Sequence, residues 1–229
     1  MKRLFDIKTN IIPRLDPNCD SISESLNRLK IFKERNLEKI CSCPNYFDIG
    51  NKNISDILID IQKEASKLDG FEIPEIFSSA LYPLNANILA IKKLISINNS
   101  TFILCKFPTH GIPHNYKEKL SYLINNNYLP IITNLDHSPL NNSKKLKEIM
   151  EMGCLFDIDL YNFFKSKDKK LINIIKYMEK QNSIITISGF NKLENVDESL
   201  KIFSRKTKID IKKVEEVYCW GNPNLIINS

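Results

Sequence analysis

The residues of this sequence that could do chemistry lie where short apolar segments give way to polar ones. The first apolar segment, residues 4–7, is followed by Lys8, Thr9 and Asn10. In an α/β protein, ligands and catalytic groups gather at the carboxyl ends of the strands. Catalytic sites at such positions are usually built from His, Asp, Glu or Cys. A lysine and an asparagine therefore leave open which chemistry this position serves.

The other predicted strand ends have the same character. They are rich in Asn and Lys and poor in side chains that bind metals, and their polar residues include Asn45, Asn85, Lys106, Asn134, Asp136, His137, Asp157, Asp159 and Ser188. The sequence contains no GxSxG, P-loop, GxGxxG or CxxC motif. From the residues alone we infer a rim of strand ends without an evident catalytic set.

The elements that must position these residues alternate regularly along the chain. Apolar runs predict seven strands, at residues 4–7, 37–43, 76–82, 102–107, 129–133, 154–158 and 184–187. Helical spacing of apolar residues separates them, with a capping box from Ser21 to Glu24 and a short helix predicted at residues 88–95. This alternation predicts one α/β domain over residues 1–229, a closed or nearly closed parallel barrel.

Composition excludes several classes of protein. The chain has 229 residues, 42% of them hydrophobic, which is typical of a globular protein. A scattered net charge of +6 does not indicate nucleic-acid binding. No apolar run approaches the roughly 18–20 residues that span a bilayer, and the N-terminus lacks a secretion signal, so we expect a cytoplasmic protein without membrane insertion. The six cysteines, of which only Cys41 and Cys43 are close, are expected to be buried thiols.

Five short segments carry a resemblance to a known family. They read KTNIIPRLDPN at residues 8–18, CPNY at 43–46, KFP at 106–108, NYLPIITNLDH at 127–137 and ISGF at 187–190. In order and spacing they resemble motifs of the PHP (polymerase and histidinol phosphatase) superfamily: H-x-H with I-L-P-G-I-D-D-G, T-P-H-H, E-F-P, G-Y-I-P-I-I-A-H-P-E-R and S-D-A-H. The resemblance is closest to the manganese-dependent protein tyrosine phosphatases of bacterial capsule and exopolysaccharide operons. It covers essentially the whole chain and implies a distorted (β/α)7 barrel.

The resemblance also shows where this sequence departs from the family. The family's ligand histidines fall on Lys8, Asn10, Asn45 and Asn134, its glutamate on Lys106, and the acid and histidine of its last motif on Ser188 and Phe190. Asp16 remains of an acidic pair, and His137 stands at the arginine expected to hold phosphate. A protonated lysine cannot bind a metal, and neutral amides bind transition metals poorly. We therefore expect no catalytic residues and no manganese here.

The candidate site is a degenerate pocket that could bind an anion. It consists of Lys8, Asn10, Asp16, Asn45, Lys106, Asn134, His137, Asp159 and Ser188. Two ammonium groups facing one cavity, Lys8 and Lys106, repel unless carboxylates or a diffusible anion neutralise them. Asp16, Asp157 and Asp159 are the possible internal partners.

Three functions remain open from the sequence. The first is an inactive protein that binds an anion, a phosphotyrosine tail or a partner such as a polysaccharide-export kinase. The second is an active metal-dependent tyrosine phosphatase with rearranged ligands. The third is a structural subunit of an assembly, since relatives in this family often form homo-oligomers. Metal content, hydrolysis of an aryl phosphate and particle size would distinguish these three.

Overall fold

The structure is a computed structural model that describes residues 3–135, 140, 143–165 and 169–228. Within these residues every paired strand is parallel to its neighbour. The strands are β1 (Leu4–Thr9), β2 (Leu37–Ser42), β3 (Glu75–Ser78), β4 (Leu81–Pro83), β5 (Phe102–Lys106), β6 (Leu129–Thr133), β7 (Leu155–Asp159) and β8 (Ile185–Ser188). Hydrogen bonds join them into one sheet in the order β1-β2-β3 and another in the order β4-β5-β6-β7-β8.

The two sheets meet at both edges. At one edge β1 packs against β8, where the Asp6 carboxylate accepts hydrogen bonds from the backbone N–H groups of Gly189 and Phe190. At the other edge the chain runs directly from β3 to β4.

The single strand predicted at residues 76–82 is therefore wrong in one respect, because Ser79 and Ala80 leave the ladder. The Ser79 hydroxyl donates instead to the carbonyl of Ser42, at 2.5 Å.

Helices follow most of the strands, and the last three come after β8. They are α1 (Ile22–Glu34), α2 (Tyr46–Ile49), α3 (Ile54–Ser66), α4 (Tyr116–Asn125), α5 (Ser143–Glu151), α6 (Leu160–Lys165), α7 (Lys169–Lys180), α8 (Val196–Thr207), α9 (Ile211–Lys213) and α10 (Asn222–Ile227). A π-helical segment, Val214–Gly221, connects the last two. The capping box predicted at the start of α1 is confirmed in part: the Ser21 hydroxyl accepts from the Glu24 N–H, whereas the Glu24 carboxylate accepts from the Asp20 N–H. No helix of the described residues is long and apolar enough to cross a membrane.

The short helix predicted at residues 88–95 is wrong. Only one 3-10 turn forms there, Ile88–Ala90, and Ile91 already has extended dihedral angles. The Ile95 N–H donates to the Tyr82 hydroxyl at 2.7 Å, so this backbone group is satisfied by a tertiary contact rather than by a helix.

The core has two apolar layers that hold the strands in place. The outer layer fills the space between strands and helices, whereas the inner layer lies among the strands. The inner layer includes Phe5, Ile7, Cys41, Cys43, Phe77, Leu104, Ile131, Leu155, Ile226 and Ile227. All six cysteines are buried free thiols, which confirms the sequence prediction. Most of the inner layer is apolar, so polar groups concentrate towards the carboxyl ends of the strands.

Candidate functional site

Lys8, at the end of β1, is the centre of the candidate site. Its ammonium Nζ lies 2.7 Å from Oδ1 of Asn134, which follows β6. It lies 3.0 Å from Oδ2 of Asp159 and 3.8 Å from Oδ2 of Asp157, both on β7. Three strand ends therefore converge on one buried cation.

The electrostatic surroundings keep Lys8 charged. Its side chain is only 12% exposed, and this burial by itself would lower the pKa of the ammonium. The attraction of Asp159 and Asp157 outweighs burial, so the pKa of Lys8 is raised. A lysine that stays protonated has no lone pair for a metal, and it fills the space that a metal ligand would need.

The two aspartates of β7 are held from their other side. The Asp157 carboxylate accepts hydrogen bonds from the hydroxyls of Ser188 at 2.7 Å and Thr186 at 3.0 Å. Burial raises the pKa of Asp157 to about 6, although Lys8 opposes this. Oδ1 of Asp159 accepts from the backbone N–H of Asn162, at 3.0 Å. Ser188, a candidate from the sequence, thus supports Asp157 and does not contact Lys8 directly.

Asp6 belongs to the same cluster, and the sequence reasoning missed it. Its Oδ1 accepts from the Lys8 N–H at 2.9 Å, and its Oδ2 accepts from the N–H groups of Gly189 and Phe190. Burial raises the pKa of Asp6 to about 7, and the nearby Asp157 charge adds to this. The sequence feature that could have identified it is an acidic residue inside the apolar segment at residues 4–7. A buried carboxylate there is destabilising unless hydrogen bonds or a counter-ion compensate for its burial.

Lys106 occupies a different part of the rim. Lys8 lines a cavity of about 150 Å³ together with Asn10, Asn134 and Asp159. Lys106 lines two adjoining cavities of about 580 and 510 Å³, and Asn45 lines both of them as well. The Lys8 cavity shares Asn134 with the larger of these two and Asn10 with the smaller, so the two lysines lie at different points of one continuous rim. Among the described residues the Lys106 ammonium has no hydrogen bond or ion pair.

Asp16 is occupied within its own loop. Its Oδ2 accepts from the Ile12 N–H at 2.7 Å, and burial raises the pKa of Asp16 to about 6. The Arg28 guanidinium donates to carbonyls of the same loop, at Asn10, Pro17 and Asn18. Asp16 therefore fixes the loop and does not neutralise a lysine. His137 lies outside the described residues.

Two asparagines present amide N–H groups to the Lys106 cavities. Oδ1 of Asn45 accepts from the Phe47 N–H, and Oδ1 of Asn134 accepts from Lys8. No hydrogen bond to a described residue engages either NH2 group, so both side chains can donate to a ligand. Asn134 adopts a left-handed backbone conformation with φ of 56°, which asparagine tolerates better than most residues. The cavity of about 580 Å³ has no carboxylate among its described lining residues and suits an anion, whereas Asp16, Asp20 and Asp48 line the cavity of about 510 Å³.

The donor set does not fit the manganese chemistry that the resemblance implies for the family. Within the described residues, no group of three or more His, Cys, Asp or Glu side chains could hold a metal ion. The two carboxylates nearest to the expected position, Asp157 and Asp159, already surround the Lys8 ammonium. A divalent cation would have to approach this ammonium, which repels it.

Gly189 allows the close packing of β8 against this cluster. It has φ of +80°, and a Cβ added there would lie 2.6 Å from Oδ1 of Asp159. We expect Gly189→Ala to lower the free energy of unfolding by about 2–3 kcal/mol, measured by urea denaturation. Gly153→Ala is the matched control, since Gly153 has φ of +87° but no atom within 4 Å of an added Cβ. Equal losses in the two variants would show that the contact with Asp159 is unimportant.

The fold is that of α/β barrel-type proteins. A crystal structure described as that of YwqE from Bacillus subtilis and CpsB from Streptococcus pneumoniae, "unique metal-dependent tyrosine phosphatases", superposes with a TM-score of 0.77 at 15% identity, covering 98% of this chain and 94% of the other. A lactonase from Listeria monocytogenes gives 0.65 at 11% identity, over 98% and 94% of the two chains. The phosphotriesterase homology protein of Escherichia coli gives 0.60 at 9% identity, over 99% of each.

The sequence identifies the family within this class. Residues 4–194 match the family described as capsular polysaccharide synthesis, CpsB/CapC, so the chain belongs to it. The tyrosine-protein phosphatase CpsB of Streptococcus pneumoniae is 22% identical over 241 residues, 98% of each chain. These findings confirm both the resemblance inferred from the strand-end motifs and the α/β barrel-type fold.

Proposed function

We propose that this protein is a CpsB/CapC-family member that has lost metal-dependent phosphatase chemistry and acts by binding a phosphorylated ligand. The observation that carries the first half is Lys8, whose buried ammonium is held by Asp159 and Asn134 among the strand ends. Hydrolysis assisted by a metal needs an ion that activates water or stabilises the developing charge. The charged residues around Lys8 are instead engaged with one another.

The cavities beside Lys106 support the second half of the proposal. The Lys106 ammonium, which has no partner among the described residues, and the NH2 groups of Asn45 and Asn134 can all donate to phosphate oxygens. Phe47 lines the larger cavity, and its side chain is 46% exposed. An aromatic ring could pack against Phe47 while an attached phosphate reaches Lys106. A phosphotyrosine side chain has this combination, and a phosphorylated tyrosine tail of a polysaccharide-export kinase would supply it.

Binding of a phosphotyrosyl peptide in the presence of a chelator tests this function. We expect a phosphorylated peptide to bind more tightly than its unphosphorylated form, in fluorescence anisotropy, without being hydrolysed. Lys106→Met should weaken binding by about tenfold or more, because it removes a charge-assisted hydrogen bond. Lys63→Met on the exposed surface of α3 is the control and should leave binding unchanged.

Two results would contradict the proposal. Hydrolysis of the peptide that depends on added Mn²⁺ would favour an active phosphatase with rearranged ligands. Equal binding of phosphorylated and unphosphorylated peptides would exclude phosphate recognition at this rim.

A further inference from the structure

We propose that Lys8 is an internal cation that ties the ends of β1, β6 and β7 together in place of a bound metal ion. The inference is independent of the phosphorylated ligand and would stand if no ligand bound. It starts from a mismatch: the superposed relatives are described as metal-dependent, whereas the side chains that meet at this position here surround an ammonium group.

The geometry of the ammonium supports this role. The Lys8 ammonium donates two hydrogen bonds, to Asn134 Oδ1 at 2.7 Å and Asp159 Oδ2 at 3.0 Å, and forms an ion pair with Asp157 Oδ2 at 3.8 Å. One acceptor follows β6 and two lie on β7, while the lysine itself lies on β1. A single side chain thus makes the contacts between strands that a metal ion makes through several ligands.

The partners of Lys8 are themselves fully engaged. Ser188 and Thr186 bind the Asp157 carboxylate, and the Asn162 N–H binds the free oxygen of Asp159. Asp157 is fully buried and Asp159 is 4% exposed, so both carboxylates are largely shielded from solvent. A buried carboxylate without a counter-ion is strongly destabilising. The network therefore requires a cation, and Lys8 supplies it.

The Lys8→Ala variant tests whether the buried carboxylates need a cation. We expect the variant to lower Tm by about 6–12 °C, because two buried carboxylates lose their counter-ion. Lys33→Ala is the control: Lys33 pairs with Glu72 at 3.3 Å, and the two side chains are 38% and 79% exposed. The Tm of this control variant should fall by no more than about 2 °C, as expected when an exposed ion pair is removed.

A second substitution separates charge from packing. Adding Asp159→Asn to Lys8→Ala should recover part of the loss, so that the double variant is more stable than the sum of the single losses predicts. If Lys8→Ala does not fold, the double variant is still expected to fold. A chemical rescue gives an independent readout: propylammonium chloride should raise the Tm of Lys8→Ala more than equimolar sodium chloride does, and should not raise the Tm of the parent protein.

Three outcomes would overturn the proposal. They are an unchanged Tm for Lys8→Ala, additive losses for Lys8 and Asp159, and a double variant that fails to fold when Lys8→Ala fails. Equal effects of propylammonium and sodium on Lys8→Ala would likewise show that the cavity left by the side chain needs no cation.

Discussion

Five substitutions that restore the ligand types of the metal-dependent relatives should make the stability of this protein depend on Mn²⁺. They are Lys8→His, Asn10→His, Asn45→His, Lys106→Glu and Asn134→His. The variant replaces the internal cation by imidazole and leaves Asp157 and Asp159 without a counter-ion, so it should be less stable than the parent without metal. With Mn²⁺ at about one hundred times its Kd, binding to the folded state should add about 2.7 kcal/mol.

A four-substitution variant that keeps Lys8 is the control for this conversion. It has the same new histidines and glutamate at the other four positions, but its ammonium still lies 3.0 Å from Asp159. We expect it to take up no Mn²⁺, because the fixed positive charge repels the ion. Metal content after dialysis and the Mn²⁺-dependent change in Tm measure both effects. Equal uptake by the four- and five-substitution variants would show that Lys8 does not exclude the metal.

The buried aspartates should make the protein less stable as pH rises towards neutrality. Burial raises the pKa of Asp6 from 3.8 to about 7. The unfolded chain therefore loses this proton near pH 4, while the folded protein keeps it until about pH 7. Across this window the free energy of unfolding should fall with increasing pH, and the pKa difference corresponds to about 4 kcal/mol for Asp6. Asp157, whose pKa is raised to about 6, adds to the fall in the same direction.

Asp6→Asn isolates this contribution. The asparagine is similar in size and has no charge to lose, so the variant should gain stability relative to the parent protein as pH rises from 4 to 7. Urea denaturation at successive pH values gives this difference. Asp60→Asn is the control, because the Asp60 side chain is 63% exposed and should leave the pH dependence unchanged. If the Asp6 variant and the parent have parallel pH profiles, Asp6 titrates at an ordinary pKa.

Local patterns in the sequence predict much of this fold. Each strand has an apolar run, and the spacing of apolar residues marks helices such as α1 and α3. These signals are local because burial acts on each turn or pleat through its own side chains. The strand predicted at residues 76–82 is interrupted at Ser79 and Ala80, and the helix predicted at residues 88–95 ends after one turn, with the Ile95 N–H bonded to the Tyr82 hydroxyl.

The sequence alone also shows which residue types lie at the strand ends. Lysine and asparagine at Lys8, Asn45 and Lys106 differ in chemistry from metal ligands, whatever their arrangement. Their positions in the motif order indicated a family that the comparison with known proteins confirms. What each residue contacts was open, and three aspartates were equally eligible as partners for two lysines.

Only the tertiary structure decided those contacts. Lys8 pairs with Asp159, 151 positions away in the chain, and with Asn134, 126 positions away. Asp16 is bound within its own loop, and Lys106 lines the cavities that adjoin that of Lys8. The energy of a charge pair depends on distances of a few ångströms and on burial, which the packing of β1 against β8 and the order of the other strands set. Residue types therefore determined which chemistry was absent, whereas the geometry of packing determined which lysine is neutralised and which remains available to a ligand.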